Sequence, residues 1–382
     1  MKNITEFNYN CKKVILRLDL NVTIENNIIK NDEKIKASLD TINYLIDNNA
    51  SVIILSHLGK IKSEEDKKKN TLYKVYEQLC KYLKTNVYFS SSTHGEILES
   101  KIKNLKPKDV LLVENTRYED IPNKLESSCD ENLAKYWASL GDIFINDAFG
   151  LTHRKHASNY GISKYLSSGV GFLIQKEIEG LKPLFNPTHP FVIIMGGIKI
   201  EDKLDVIKNL INKCDYLITG GGIANSFLAC KYNVGKSIIN KEKTSELEGL
   251  LSNYENKILL PTDVVVNKDG EVLVKRIDEV KDNDVIYDIG PETIKNYSNY
   301  IKQAKLIFIN GTMGKYEEEK YSWGTKEILQ EVSNSEGYKI AGGGDALSSI
   351  SALGIKNIDY ISTGGGSTLE YISKEKLNCF DI

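Results

Sequence analysis

The sequence is short of arginine. Of 50 Lys and Arg residues only four are arginine: Arg17, Arg117, Arg154 and Arg276. Lysine holds every other basic position, so these four are suspects for work lysine does poorly, such as bidentate binding of phosphate or carboxylate. The chain has no apolar run of ~18 residues, which excludes a helical membrane span. Its start, MKNITEFNYNCKK, has no apolar h-region, so no signal peptide is expected. The six cysteines are scattered without a C-x-x-C pair. That excludes a zinc or disulfide framework read from spacing and suits reduced packing residues in a cytoplasmic protein. No sign of charge dominates: the net charge is −2, which argues against a general nucleic-acid binder. No G-x-G-x-x-G occurs, so neither a dinucleotide fingerprint nor a protein-kinase loop applies. Gly235-Lys236-Ser237 is not a P-loop, because Cys230 stands where that motif needs its first glycine.

What is present is an alternation of apolar strands and helical patterns, over a length of 382 residues that suits two or three domains. The first half has short apolar runs at 13–19, 52–56, 110–114 and 143–146, as expected for a sheet buried on both faces. Segments 37–47 and 72–83 between them space apolar residues by three and four, the mark of helices. Together these predict an open parallel α/β sheet, whose ligands bind beyond the carboxyl ends of the strands. The residues expected there are Asp19, Asn21, His57, Arg117 and the run 146–156, NDAFGLTHRKH. Singly each could be a solvated loop charge. Collected at one edge, they suit a small anion.

In the second half the strands end in glycine: FVIIMGG (191–197), YLITGGG (216–222), LIFINGTMG (306–314), YKIAGGGDAL (338–347) and YISTGGG (360–366). A strand that stops in glycines and opens a helix offers backbone N–H groups and a positive dipole end to an anion. Such clusters can also be plain turns. Asp345, just after one of them, is placed for a hard cation accompanying that anion. Lys199 and Lys203, four apart, would share a helix face and could neutralise a transferring phosphoryl group, or form a solvated charged face. A helical pattern at 173–185, closed by Asn186-Pro187 and His189-Pro190, marks the junction and reads as a hinge helix. A kinase that holds an anionic substrate on one half and a nucleotide on the other fits these features.

Ten collinear motifs carry a resemblance: RLDLNV (17–22), LSHLGK (55–60), LLVENTRY (111–118), NDAFGLTHRKHAS (146–158), MGGIKIEDK (195–203), GGGIANSF (220–227), DIGPET (288–293), NGTMGKYE (310–317), GGGD (342–345) and STGGGSTLE (362–370). Over nearly its whole length the chain resembles phosphoglycerate kinase. The resemblance implies an α/β enzyme of two lobes, each an open doubly wound parallel sheet flanked by helices, joined by a hinge helix. It implies an N-terminal domain over 1–172, a hinge over 173–189, a nucleotide domain over 190–366 and a segment 367–382 returning to the N-terminal domain. The implied reaction moves phosphate between 1,3-bisphosphoglycerate and ADP, giving 3-phosphoglycerate and ATP, with Mg²⁺, in a cytoplasmic monomer that needs no nucleic acid or membrane. The implied substrate residues are Asp19, Leu20, Asn21, Lys34, His57, Leu58, Gly59, Lys60, Arg117 and Arg154. The implied nucleotide residues are Gly197, Lys199, Lys203, Gly221, Gly222, Asn310, Glu317, Gly343, Gly344, Asp345 and Ala346, with Asp345 also meeting the metal. Lys34, Lys199, Lys203 and Gly344 would serve the transfer itself. The chain departs from the family pattern at Leu20, Thr23, Lys34, Lys60, Thr312 and Ala346. Lys34 replaces an arginine and Ala346 a threonine, which bear on the rate. A non-catalytic or weakly active relative that senses nucleotide or glycerate, or a kinase for another acyl phosphate, is the alternative.

Overall fold

The structure, a computed structural model, describes residues 2–380, so the last two residues of the segment expected to return to the N-terminal domain lie outside the described residues. The chain divides into two compact units, one of Met1–Ile178 with Lys376–Ile382, the other of Glu179–Glu375.

The first unit is built on strands β1 (Lys2–Asn3), β2 (Lys13–Arg17), β5 (Ser51–Leu55), β6 (Val87–Ser90), β7 (Val110–Val113), β8 (Ile143–Asn146) and β9 (Ser167–Val170), with a small ribbon of β3 (Ile24–Glu25) and β4 (Ile28–Ile29). The seven lie in the order β1-β9-β8-β2-β5-β7-β6, every neighbouring pair parallel. Alternate residues serve opposite faces. Val14, Leu16, Val52, Ile54, Val110 and Leu112 enter one core, and Ile15, Ile53, Leu55, Leu111, Val113 and Phe144 the other. Helices Leu39–Asp47 and Tyr73–Tyr82 cover the first face through Ile42, Leu45, Val75 and Leu79. Helices Glu96–Lys103 and Glu131–Ser139 cover the second through Leu98, Ile102, Leu133 and Trp137. A sheet covered on both sides must be apolar at both phases of the strand period, which is why these strands read as unbroken apolar runs.

The second unit repeats the plan with β10 (Phe191–Met195), β11 (Tyr216–Thr219), β12 (Ile258–Leu259), β16 (Leu306–Asn310), β17 (Tyr338–Gly342) and β18 (Tyr360–Ser362), ordered β12-β11-β10-β16-β17-β18 and all parallel. Beside it stands an antiparallel sheet of β13 (Asp263–Lys268), β14 (Glu271–Arg276) and β15 (Val285–Ile289), in the order β14-β13-β15, with a core of its own around Leu228, Val264, Val266 and Ile286.

The chain leaves the first unit along helix Phe172–Leu181, and the division falls inside it, after Ile178. Asp147, just past β8, holds the start of that helix: its carboxylate accepts the N–H groups of Leu173 (2.8 Å) and Ile174 (3.1 Å) and the Thr41 hydroxyl. Burial pushes this carboxyl up to about 6. Near the C-terminus, helix Gly366–Lys374 packs on helix Glu201–Leu210 within the second unit. The chain rejoins the first unit only from Lys376, where the Cys379 carbonyl accepts the Ser163 hydroxyl at 3.2 Å.

Candidate active site

In the first unit the carboxyl ends of β2, β5, β7 and β8 carry the basic residues. Lys34, on the short helix Glu33–Ala37, places its Nζ 2.8 Å from Asp19 Oδ2. Asp19 Oδ1 accepts the Asn21 N–H at 3.2 Å, and Asn21 Oδ1 accepts the Gly59 N–H at 2.9 Å. Lys34, Asp19, Asn21 and Gly59 thus form one hydrogen-bonded chain. His57 is buried beside them. Its burial, followed by the charges of Arg17, Arg117, Lys34 and His156, holds its imidazole well below the usual range. Burial followed by Arg17, Arg117, Arg154 and His153 takes His156 down to about 3. Two neutral imidazoles among guanidinium and ammonium groups are what a preassembled cationic field produces. Four buried polar atoms here have no hydrogen-bond partner: His57 Nδ1, Thr116 Oγ1, Arg117 Nε and Asn146 Nδ2. Buried polar groups are nearly always bonded, and exceptions grouped at the ends of strands of one sheet mark a place kept for a ligand.

Not every expected residue presents its side chain there. Leu20 and Leu58 lie in the apolar core, and the Leu20 N–H donates to Ser56 Oγ at 2.9 Å. They can offer a ligand only backbone. Arg17 is 1% exposed, and its guanidinium donates to Ser158 Oγ (2.8 Å) and to the carbonyls of Leu18 and Leu55. Ser158 in turn donates to the buried Glu126 carboxylate through its N–H and its hydroxyl. Arg17 is therefore a strut behind the site, a job for the planar fork that lysine could not fill. Arg154 is exposed, its Nε 3.0 Å from His153 Nε2. Lys60 lines a neighbouring cavity of about 500 Å³ with Lys62, Arg117 and Lys124.

In the second unit a cavity of about 570 Å³ is lined by Gly197, Gly221, Gly222, Glu317 and Asp345 together with apolar side chains such as Ile238, Val264, Val285 and Met313. An apolar slot with a few placed polar groups is the form of a site for a small organic ligand. Gly197 is at φ +90°, and a Cβ there would come within 2.9 Å of Lys203 Nζ and 3.4 Å of Asp345 Oδ2. Only glycine lets the chain turn while Lys203 and Asp345 stand beside it. Lys203 is buried, its Nζ donating to the Gly196 carbonyl, while Lys199 is exposed just ahead of helix Glu201–Leu210. Helices Gly221–Leu228 and Gly344–Ala352 begin directly after β11 and β17, so their first N–H groups, Gly343 and Gly344 included in the second turn, stand at strand ends. Asn310 lies inside and donates to the Gly342 carbonyl at 2.8 Å, bracing the glycine turn. The Ala346 side chain packs in the core with Ile309, Ala341 and Ile350, leaving only its backbone for a ligand.

The phosphoglycerate kinase family model matches residues 4–375. The chain belongs to the phosphoglycerate kinase family. It is 43% identical to the phosphoglycerate kinase of Staphylococcus aureus strain bovine RF122 / ET3-1, an alignment covering 98% of this chain and 97% of that protein. The enzyme of Staphylococcus aureus strain JH9 is 42% identical over the same shares. Among solved structures, phosphoglycerate kinase from Coxiella burnetii matches 99% of this chain and 97% of its own, with TM-score 0.87 and 35% identity. That from Pyrococcus horikoshii OT3 matches with TM-score 0.77 and 32% identity over the same shares. The chain is accordingly a phosphotransferase of glycolysis, a phosphoglycerate kinase by family, with glycerate phosphates and nucleotides as its substrates. Asn146 opens the run 146–156 expected at the strand ends, whereas Thr116, Ser158 and Glu126 are not among the expected site residues. Asn146 and Ser158 begin and end a family motif, which was signal enough for them. Glu126 lies in no motif.

Proposed function

We propose that the first unit holds 3-phosphoglycerate or 1,3-bisphosphoglycerate at the β2, β5, β7 and β8 ends and that the second unit holds ADP or ATP in the cavity under Gly197, Gly221 and Gly222. The observation that carries the first half is the set of buried, unpartnered atoms on His57, Thr116, Arg117 and Asn146. His57, neutral, can donate its ring N–H as a hydrogen bond to a carboxylate oxygen. Arg117 and Arg154 supply charge for the phosphate, and Asp19 and Asn21 accept from glycerate hydroxyl. Gly343 and Gly344 offer N–H groups to the nucleotide phosphates, and Glu317 accepts from the ribose. In the forward direction an oxygen of ADP attacks the acyl phosphate, the phosphorus–carboxylate bond breaks and the phosphorus–nucleotide bond forms. Lys34, Lys199 and Lys203 offset the charge on the phosphoryl group while it is shared.

Mg²⁺ fits the donor set. Among the described residues no group of three or more His, Cys, Asp or Glu could hold a metal by itself. Mg²⁺ bound through one carboxylate and substrate phosphates needs none, and Asp345, in the cavity wall beside a helix start, is that carboxylate. When bound, the ion would spread the charge of the nucleotide phosphates. By its kinship with phosphoglycerate kinases the enzyme would work as a cytoplasmic monomer on small molecules; among the described residues no helix is long and apolar enough to cross a membrane.

A coupled assay with ATP and 3-phosphoglycerate is the test, with Lys199→Ala beside wild type. Loss of one preorganised cation should lower kcat by ~10²–10³. Turnover of another acyl phosphate in preference to 3-phosphoglycerate would overturn the substrate assignment, and unchanged kcat in Lys199→Ala would remove that lysine from the chemistry. A wild type that binds both substrates and turns over neither would restore the sensor alternative.

A further inference from the structure

The nucleotide cavity is lined on one side by the loop 311–317, which carries Glu317. The Thr312 and Met313 carbonyls accept the N–H groups of Gly197 (2.9 Å) and Gly221 (2.7 Å). Two further sets of hydrogen bonds tie the loop to β15 and to helix Trp323–Asn334. The Lys315 N–H donates to the Tyr287 carbonyl on β15 at 2.8 Å. The N–H groups of Met313 and Gly314 both donate to Thr325 Oγ1, at 3.1 and 3.2 Å. Thr325 lies in the first turn of helix Trp323–Asn334, and that turn is itself fixed to β15, where Asp288 Oδ2 accepts the Gly324 N–H at 2.7 Å. The other carboxyl oxygen, Oδ1, is buried and has no hydrogen-bond partner. It fills the gap between Gly314 and Gly324 so closely that a Cβ on either would fall 2.3 Å from it. Asp288 lines the cavity and is 2% exposed.

Such a carboxyl is an unfavourable choice for stability alone, since burial without a full set of donors opposes it. Its placement between the two glycines gives a reason to keep it. We propose that Asp288 and Thr325 are positioning residues for the nucleotide: Asp288 sets the first turn of helix Trp323–Asn334, and through Gly314 and the Thr325 hydroxyl that turn sets the loop bearing Glu317. Neither side chain touches the reacting atoms. The inference rests on reading this cavity as the nucleotide site.

The test is steady-state kinetics on the full chain with Mg-ATP and 3-phosphoglycerate varied separately, for Thr325→Val, Thr325→Ser, Asp288→Asn and Ile238→Glu. Thr325→Val keeps the shape and removes the acceptor of two N–H groups. It should raise the KM for Mg-ATP by about tenfold, the scale of one or two neutral hydrogen bonds, with kcat and the KM for 3-phosphoglycerate within about twofold of wild type. Thr325→Ser restores the hydroxyl and should restore the KM. Asp288→Asn should follow Thr325→Val. If it fails to fold, the Val and Ser pair decides. A nucleotide KM unchanged in Thr325→Val, or both KM values rising together, overturns the proposal. Ile238→Glu separates the two readings, because Ile238 is 55% exposed and lines the cavity but belongs neither to the loop 311–317 nor to the side chains that hold it. If its added charge raises the nucleotide KM while Thr325→Val does not, the positioning inference alone fails. If Ile238→Glu also leaves that KM unchanged, the cavity is not the nucleotide site.

Discussion

Lys34 shows what one residue decides. An ammonium keeps the charge of the family's arginine but replaces two parallel hydrogen bonds with one movable contact. Its Nζ is already 2.8 Å from Asp19 Oδ2, with half of the lysine side chain exposed. To meet a phosphoryl group it must share or leave that carboxylate. An arginine could keep one arm on Asp19 and extend the other. Turnover should therefore be lower than an arginine would give, by roughly 10–10³, which is ~1.4–4 kcal/mol. Lys34→Arg should raise kcat with little change in KM, and Lys34→Ala should lower it further, both read in the coupled assay. Equal turnover by wild type and Lys34→Ala would show that Lys34 has no part in the transfer.

At the scale of elements, legibility followed burial. The long parallel strands of both sheets were readable because their two faces are both apolar, as in β2, β5, β7 and β8. β1 and β12, of two residues each, gave no pattern to read. The antiparallel sheet of β13, β14 and β15 was missed although its hairpin carries a signal: Asp269-Gly270, both at positive φ, joins β13 to β14. The Gly-to-helix turns were legible as strand-to-helix junctions, and helices Gly221–Leu228 and Gly344–Ala352 do begin there; their service as phosphate cradles belongs to the proposed function. What surrounds them was not legible, since Asp288 and Thr325 reach the loop 311–317 only through tertiary contacts. Likewise Leu20, Leu58 and Ala346 share motifs with polar residues at the strand ends but point inward, and a motif does not say which of its residues face the core. The element that tests the metal reading is helix Gly344–Ala352. Asp345→Ala removes one charged contact from its first turn and should weaken Mg-nucleotide binding roughly 10–100-fold, leaving 3-phosphoglycerate binding to the free enzyme unchanged. Titration of Mg²⁺ against bound nucleotide reads this directly, and an unaltered Mg²⁺ dependence would take Asp345 out of the metal site.

For the whole molecule, the buried titratable groups give each unit its own response to acid. In the first unit His57 and His156 are held neutral, His156 down to about 3. A base whose folded pKa lies below its unfolded value of ~6.5 contributes stability that is complete above about pH 6.5 and is lost as pH falls toward the folded value. Asp147 works the other way. Burial raises it to about 6, so its contribution is complete below the unfolded value of ~3.9 and is lost as pH rises through about 6. Glu114 and Glu126, buried in the same unit, are raised by burial as well, so two imidazoles oppose three carboxyls there and the response to acid has to be read group by group. In the second unit the buried Asp288 is raised to about 7. By the same sign its contribution grows as pH falls from above about 7 toward ~3.9. Melting followed from about pH 5 to about pH 8 should separate the two. Asp288→Asn, which cannot ionise, should lie closest to wild type near pH 5 and gain on it as pH rises through about 7. His156→Gln should do the reverse, matching wild type best near pH 8 and gaining on it in acid, because the variant has no proton to take up when it unfolds. The pKa assignments rest on burial in the folded state. A gap between variant and wild type that stays constant over the whole range would mean that the group titrates alike folded and unfolded, and the acid response of that unit would have to come from its surface carboxylates instead.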